Sequence, residues 1–386
     1  MSDFNFKDLD DLEAEVVAPE EKYEDKVVVG VNFGFIGVGQ GGSRLADTFY
    51  NIGYRKVLLF NTNENDMEGL STPRSGWILA DGMKGAGKNP EFGEKAAKSI
   101  IPDLLKKMNQ KFIDVKNIII CVGAGGGSGT GSAAIIAEAC KQWIYNTTGD
   151  TTGTKVGFMV ALPARSESSH VLANTDYLIK RIMKSEYSPI IFVDNQRITT
   201  TIKANALNKW TQANNMVCQL FHIFNVMSVK QTPYDTFDPQ DYTEVLKHGV
   251  TTIAMTSISE SSIKIDDNTG VAKPTLLSDK VRVSLGSNLL LQDVDISTAT
   301  HAAVIISCRE AALRQMDANT VPKLQETIIS MMGGDLGKSV VVNRGLYTRE
   351  DDDEDSKIRI FIMFSGMKFP ENKLKEYARA AELKME

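Results

Sequence analysis

Cysteine and histidine are scarce, with four of each in 386 residues. Cys121, Cys140, Cys218 and Cys308 share no paired spacing. That excludes a disulfide framework and a Cys-x-x-Cys metal clip, and predicts reduced, mostly buried thiols in a cytoplasmic protein. The four histidines stand apart, so no zinc-ligand pattern is visible and no protein-held metal is expected. No apolar run is long enough to span a bilayer, and the acidic start does not read as a signal peptide, so no membrane partner is expected. A basic surface is missing as well. The net charge is −6, but residues 1–26 carry ten acidic and three basic side chains, which leaves the remainder near +1. Such a body offers no broad polyanion-binding face, and direct nucleic-acid binding is not expected. The acidic tail 1–26 has few large apolar residues and is expected to be disordered.

What the chain has is glycine in the right places. Ile118–Val122 is a buried-strand pattern. It runs into Gly123-Ala124-Gly125-Gly126-Gly127-Ser128-Gly129-Thr130-Gly131-Ser132 and then a helical pattern from Ala133. A strand, a glycine loop and a helix start make an anion site, because glycines let backbone N–H groups close on a phosphate and the helix end adds unpaired donors. No lysine follows the last glycine, so this is not a Walker A loop. A flexible linker would not sit between a buried strand and an amphipathic helix.

The rest of the first half repeats the theme. An apolar strand over Val27–Val38 ends in Gly37-Val38-Gly39-Gln40-Gly41-Gly42-Ser43. Val57–Phe60 ends in Asn61-Thr62-Asn63. The Gly82–Gly87 loop leads through Lys88 and Asn89-Pro90 into a helix over 91–108. Val156–Leu162 and Pro189–Val193 are further strands, separated by a helix over 169–184. Strand–helix alternation predicts an α/β protein with a doubly wound, mostly parallel sheet, whose ligands bind at the carboxyl ends of the strands. A long amphipathic helix follows over 204–230, with Leu207, Trp210, Val217, Phe221 and Phe224 on its apolar stripe and Asn214 inside that stripe. Asn214 either bonds internally to backbone or reads a base. After 235, strands over 250–258, 301–308, 339–347 and 358–366 lose the alternation and predict an α+β region with a mixed sheet. Asp351–Asp355 reads as a solvated acidic loop, and 373–384 as a charged terminal helix.

Gly37–Gly42 fits the Gly-x-Gly-x-x-Gly dinucleotide fingerprint. The acidic ribose ligand expected at the end of the second strand is replaced by Asn61-Thr62-Asn63, and a second, richer glycine loop is foreign to that fold. NAD(P) is therefore the weaker reading.

Taken together, the loops resemble those of the tubulin/FtsZ superfamily in order. Gly125–Gly131 with Ser128 is similar to its Gly-Gly-Gly-Thr-Gly-Thr/Ser-Gly signature, Gly37–Ser43 to its first phosphate loop, and Asn61–Asn63 to an Asn-Thr-Asp segment. Gly85-Ala86-Gly87-Lys88-Asn89 resembles the loop that reaches the γ-phosphate. Pro163 and Glu167 resemble the ribose loop, and Asn195 the guanine-side loop. Asn214-Asn215 matches the base-reading position, which favours the guanine reading of Asn214. Phe33–Gly37, Lys88 and Ser365–Pro370 look most like the plasmid and phage TubZ branch.

This resemblance implies a GTPase domain over 27–203, a central helix over 204–232, an activation domain over 233–370 and a last helix over 371–386. GTP or GDP would bind through Gly37, Gly39, Gln40, Gly41, Gly42, Ser43, Asn61, Asn63, Gly85–Asn89, Gly125, Gly126, Gly127, Ser128, Gly129, Thr130, Gly131, Pro163, Glu167, Asn195, Asn214 and Asn215. Mg2+ would be held through phosphates and water. Asp238 and Asp241, in Thr236-Phe237-Asp238-Pro239-Gln240-Asp241, resemble the acidic loop that enters the next subunit's nucleotide site. The implied protein is a filament-forming GTPase of the bacterial cytoplasm whose partners are its own copies and a DNA-binding adaptor. Its implied use is plasmid or phage DNA segregation, with a phage spindle or a division protein as alternatives.

Overall fold

A computed structural model describes residues 27–80, 85–202, 208–262, 268, 270–271, 273–349 and 356–385. The acidic tail, Gly82, Leu207 with the start of the 204–232 segment, Asp351–Asp355 and Glu386 lie outside the described residues.

Ten strands form one sheet: β1 Phe33–Val38, β2 Val57–Asn61, β3 Trp77–Leu79, β4 Asn117–Gly123, β5 Val156–Leu162, β6 Ile190–Asp194, β7 Val250–Ser259, β8 His301–Arg309, β9 Val341–Arg349 and β10 Lys357–Met367. Their order is β3-β2-β1-β4-β5-β6-β7-β10-β8-β9. From β3 to β7 every pairing is parallel. β10 is antiparallel to both β7 and β8, and β8 and β9 are parallel. The mixed part expected after residue 235 is present, and it continues the first sheet: Ile190 pairs Val250 and Ile191 pairs Thr251. The chain leaves β1 towards β2 on one side and returns to β4 on the other. The space between β1 and β4 is thus a topological switch point, where open α/β sheets bind ligands.

The helices are α1 Gly39–Ile52, α2 Pro90–Lys111, α3 Ser128–Thr148, α4 Ser169–Ile182, α5 Asn195–Thr201, α6 Lys209–Met227, α7 Pro239–Leu246, α8 Leu276–Asn288, α9 Glu310–Arg314, α10 Thr320–Met331 and α11 Glu371–Met385. They cover both faces of the sheet, which explains why β1 is apolar throughout rather than alternating. Its Phe33 and Phe35 pack with Leu45, Phe49, Phe221 and Phe224 of α1 and α6. Its Ile36 and Val38 enter the opposite core with Ala97, Ile136 and Leu178 of α2, α3 and α4.

Two sequence expectations change. The first strand was predicted over Val27–Val38, but sheet pairing begins at Phe33. Buried Asn225 of α6 takes the preceding backbone instead, accepting from Val31 N at 2.8 Å and donating to Val31 O at 2.9 Å. A buried amide satisfied in this way holds the segment off the sheet. The apolar stripe of α6 keeps Val217, Phe221 and Phe224 buried, but Trp210 is 43% exposed, with Lys209 Nζ 5.8 Å from its ring centre. Trp210 lies in the first turn of α6, ahead of the buried part of the helix.

Candidate nucleotide-binding site

Two helices start directly at the switch point. α1 begins at Gly39 after β1, and α3 begins at Ser128 after β4 and its glycine loop. Neither N-terminus has a side-chain cap, and neither first turn holds an acidic residue. α2, α5 and α7 differ: Asn89, Asp194 and Asp238 cap them through their side chains. Uncapped first-turn N–H groups and the positive ends of two helix dipoles therefore converge on one place. The approach is close. A Cβ built on Gly39, whose φ is +71°, would lie 2.8 Å from Gly129 N. Only glycine meets both the left-handed backbone and that contact.

The remaining loops close around this pair. Thr62, after β2, hydrogen-bonds Ser128 hydroxyl to hydroxyl at 2.6 Å, and its carbonyl accepts from Gly85 N at 3.1 Å. A Cβ on Gly127 would lie 2.8 Å from Asn89 N and 2.9 Å from the Ala86 Cβ, so the 85–89 loop rests on the main glycine loop. Asn174 of α4 fastens both, donating to Lys88 O at 2.8 Å and Gly125 O at 3.1 Å. Lys88 itself holds φ +60°, a strained value for a non-glycine residue. Thr130 Oγ1 accepts from Gly125 N at 3.1 Å, and Asn61 donates to Asp66 at 3.3 Å. Gln40 also reaches Asp66, at 3.4 Å.

Gly126 stands apart. It is exposed, has no left-handed φ, and a Cβ built on it meets nothing within 4 Å. No protein atom requires glycine there.

The other sequence-predicted residues fall along the same edge. Parallel register sets Gly123 beside Ala161 and Leu162 beside Asp194. The segment with Pro163 and Glu167, and Asn195 at the start of α5, therefore follow neighbouring strand ends. Pro163 is buried, Glu167 exposed and Asn195 half-buried. Its neighbour Asp194, fully buried, caps α5 through Gln196 N at 3.0 Å and pairs with Lys373 of α11 at 2.7 Å. Asn214 and Asn215 are both half-buried. α6 runs alongside α1 in the same direction, since Cys218 Sγ contacts Leu45 O at 3.7 Å and the Phe221 and Phe49 rings are 5.7 Å apart. One turn back along both helices sets Asn214 level with Gly41. Asn63 and Asn89 spend their side-chain oxygens on local backbone, Asn65 N and Glu91 N.

Asp238 and Asp241 are elsewhere. They form a capping box on α7: Asp238 accepts from Gln240 N and Asp241 N, each at 2.8 Å, and Asp241 accepts from Asp238 N at 3.2 Å. Burial raises the Asp241 carboxyl above its ordinary value, and the Asp238 charge adds to this. α7 lies at the amino ends of the strands, with Tyr242 on Phe33 at 6.2 Å and Thr243 and Leu246 sharing a cavity with Phe33, Asn117 and Pro189. Within one chain, the carboxylate pair and the glycine loops occupy opposite edges of the sheet.

Sequence reading missed Asn174, Thr62 and Asp66. The available signal for Asn174 was an amide on the apolar face of α4. Thr62 stood inside the Asn61–Asn63 loop, but its bond to Ser128 and that of Asp66 to Gln40 span the fold, where spacing gives no signal.

Residues 32–203 match the Tubulin/FtsZ family, GTPase domain. The chain is 26% identical to the tubulin-like protein TubZ of Bacillus cereus over 63% of its own length and 59% of that protein's, so it spans less than two thirds of that relative. It is 27% identical to the tubulin-like protein CetZ of Pyrococcus furiosus over 86% of its length and 84% of that protein's. The structure superposes on a GTPγS-form protofilament of Bacillus thuringiensis serovar israelensis TubZ with a TM-score of 0.74 at 20% identity, covering 94% of each chain. Residues 32–203 thus resemble the GTPase domain of the tubulin/FtsZ family, and the chain carries the tubulin/FtsZ fold.

Proposed function

We propose that this chain binds GTP at the β1/β4 switch point, assembles head to tail, and hydrolyses GTP only where a second copy completes the site. The observation that carries this is the division of the chemistry. Two uncapped helix ends and four polar loops lie at one edge of the sheet, and the Asp238/Asp241 pair lies at the other. A contact that joins opposite ends of identical subunits is heterologous, and it propagates as a filament unless it closes.

The residues present suit the nucleotide. The helix ends and the Gly126 opening would take the phosphates, with Ser128 and Thr130 hydroxyls beside them. Lys88 would add a point charge at the γ-phosphate. Asn195 and Asn214 would read guanine, and the segment with Glu167 would face the ribose. The loops offer amides and hydroxyls rather than a carboxylate cage, which suits Mg2+ carried in on phosphate oxygens and water. Asp241, with its raised proton affinity, would orient the attacking water from the neighbouring subunit, and Asp238 would support it. Conversion of GTP to GDP would then loosen the interface. The finer role is movement of plasmid or phage DNA through an adaptor, which the near-neutral body favours over direct DNA contact. Turnover per subunit measured against concentration, with sedimentation in parallel, tests the proposal. Specific activity should climb with polymer, and constant activity well below any assembly would overturn it.

A further inference from the structure

Two of the four histidines meet at a place the nucleotide chemistry does not use. Glu244 is in the last turn of α7, His248 follows that helix, and His301 opens β8. One ligand atom from each lies within 4.8 Å of the other two. His248 Nε2 is 3.2 Å from Glu244 Oε1, and the two imidazole rings stack at 3.5 Å with 7° between their planes. The three side chains are half-buried, so the cluster is held by the fold yet open to ions from solvent.

We propose that Glu244, His248 and His301 form a binding site for one divalent transition-metal ion of the zinc type, with water completing its coordination. Two imidazoles and one carboxylate are a recurrent three-ligand set for zinc, leaving a fourth position open. Ligand atoms on a tetrahedral ion with bonds of about 2.0–2.1 Å stand roughly 3.3 Å apart, so a group already within 4.8 Å can share one ion once the imidazoles turn out of their parallel stack and point their in-plane lone pairs at it. Outer contacts orient the ligands. Thr300 Oγ1 is 2.9 Å from His301 Nδ1, which leaves Nε2 as the coordinating atom. Lys247 holds Glu244 Oε2 at 2.7 Å, leaving Oε1 towards the histidines. The carbonyl of His248 is fixed by Gly366 N at 2.6 Å. Two facing imidazoles could also simply stack as neutral rings beside a carboxylate; the ion's affinity and its dependence on these side chains separate the two cases.

The test is calorimetric titration of the full chain with Zn2+, and with Co2+ as a spectroscopic probe. One ion per chain should bind with micromolar affinity. His248→Gln and His301→Gln should each weaken it about tenfold or more. His170→Gln, at an exposed position away from the cluster, should leave it unchanged. Co2+ should show weak visible bands without thiolate charge transfer, since all four cysteines are buried elsewhere. Should His301→Gln fail to fold, His248→Gln decides, because that ring is 29% exposed and lies outside the regular helix. No binding up to about 100 µM free Zn2+, undiminished binding in His248→Gln, or a thiolate-type Co2+ spectrum would each overturn the site.

Discussion

Gly126→Ala separates a phosphate cradle from a loop that is merely tight. The added methyl meets no protein atom within 4 Å, and the backbone is not left-handed, so the folded chain has no reason to reject it. Alanine at such a position changes stability by less than about 1 kcal/mol, in the favourable direction if anything, because it narrows the unfolded ensemble. A phosphate seated on the loop would meet that methyl and lose its close approach to the backbone N–H groups. One charge-assisted hydrogen bond is worth roughly 1.5–3 kcal/mol. Its loss corresponds to about ten- to 150-fold weaker nucleotide binding. Gly127→Ala is the informative contrast. Its methyl would lie 2.8 Å from Asn89 N and 2.9 Å from Lys88 Cα, so it forces the 85–89 loop away and costs stability with or without nucleotide. Thermal unfolding and calorimetric titration with GTP on both variants make the comparison. Wild-type GTP affinity in a folded Gly126→Ala protein would refute the cradle.

Three further outcomes are expected. Lys88→Ala should weaken GTP more than GDP, by roughly ten- to 150-fold for the triphosphate, with equal losses for both nucleotides contradicting a γ-phosphate contact. Asp241→Asn should lower turnover by on the order of 10²–10⁴ while GTP-dependent sedimentation persists; asparagine can still accept from Asp238 N, so α7 keeps its cap, whereas Asp238→Ala should cost about 1 kcal/mol through the lost cap. His222 is buried, its Nδ1 3.0 Å from the Tyr54 hydroxyl, and its pKa is pushed down to about 4. Above the ordinary value of 6.5 both folded and unfolded forms are neutral, but below it only the unfolded chain takes up the proton. Stability should therefore fall by about 3 kcal/mol as pH drops from 6.5 to 4, and His222→Gln should remove that part of a denaturant-midpoint titration.

Much of the fold and the glycine loops could be read from the sequence because both signals are local. Buried parallel strands write continuous apolar runs, and each loop that lies on the switch point carries its own glycines or asparagines. What failed was decided by distant partners. Val27–Val31 has strand composition, but Asn225 claims its backbone from nearly two hundred residues away. Trp210 fits the apolar period of α6, yet it sits in the first turn, before the helix reaches the core. Asn174 ties two glycine loops across 86 and 49 residues, and no spacing rule marks it. His248 and His301 looked isolated for the same reason: the fold, rather than a motif, stacks them. The resemblance gave the Asp-x-x-Asp pair one role, at the next subunit's nucleotide, and the fold gives it a second, as the cap of α7. The geometry shows the cap directly, and the proposed role at the nucleotide calls for another subunit.

Complementation between two defective variants tests that need most directly. Asp241→Asn keeps the nucleotide edge intact, and Gly126→Ala keeps the carboxylate edge intact. Each alone should turn over GTP poorly. In an equal mixture, a nucleotide on the Asp241→Asn subunit can meet the intact Asp241 of a Gly126→Ala neighbour, on the order of one interface in four if pairing is random. GTP hydrolysis measured on the two variants separately and mixed at constant total protein should rise well above either alone. A mixture no more active than the average of its parts, with co-sedimentation showing that the two variants assemble together, would contradict a site built from two subunits.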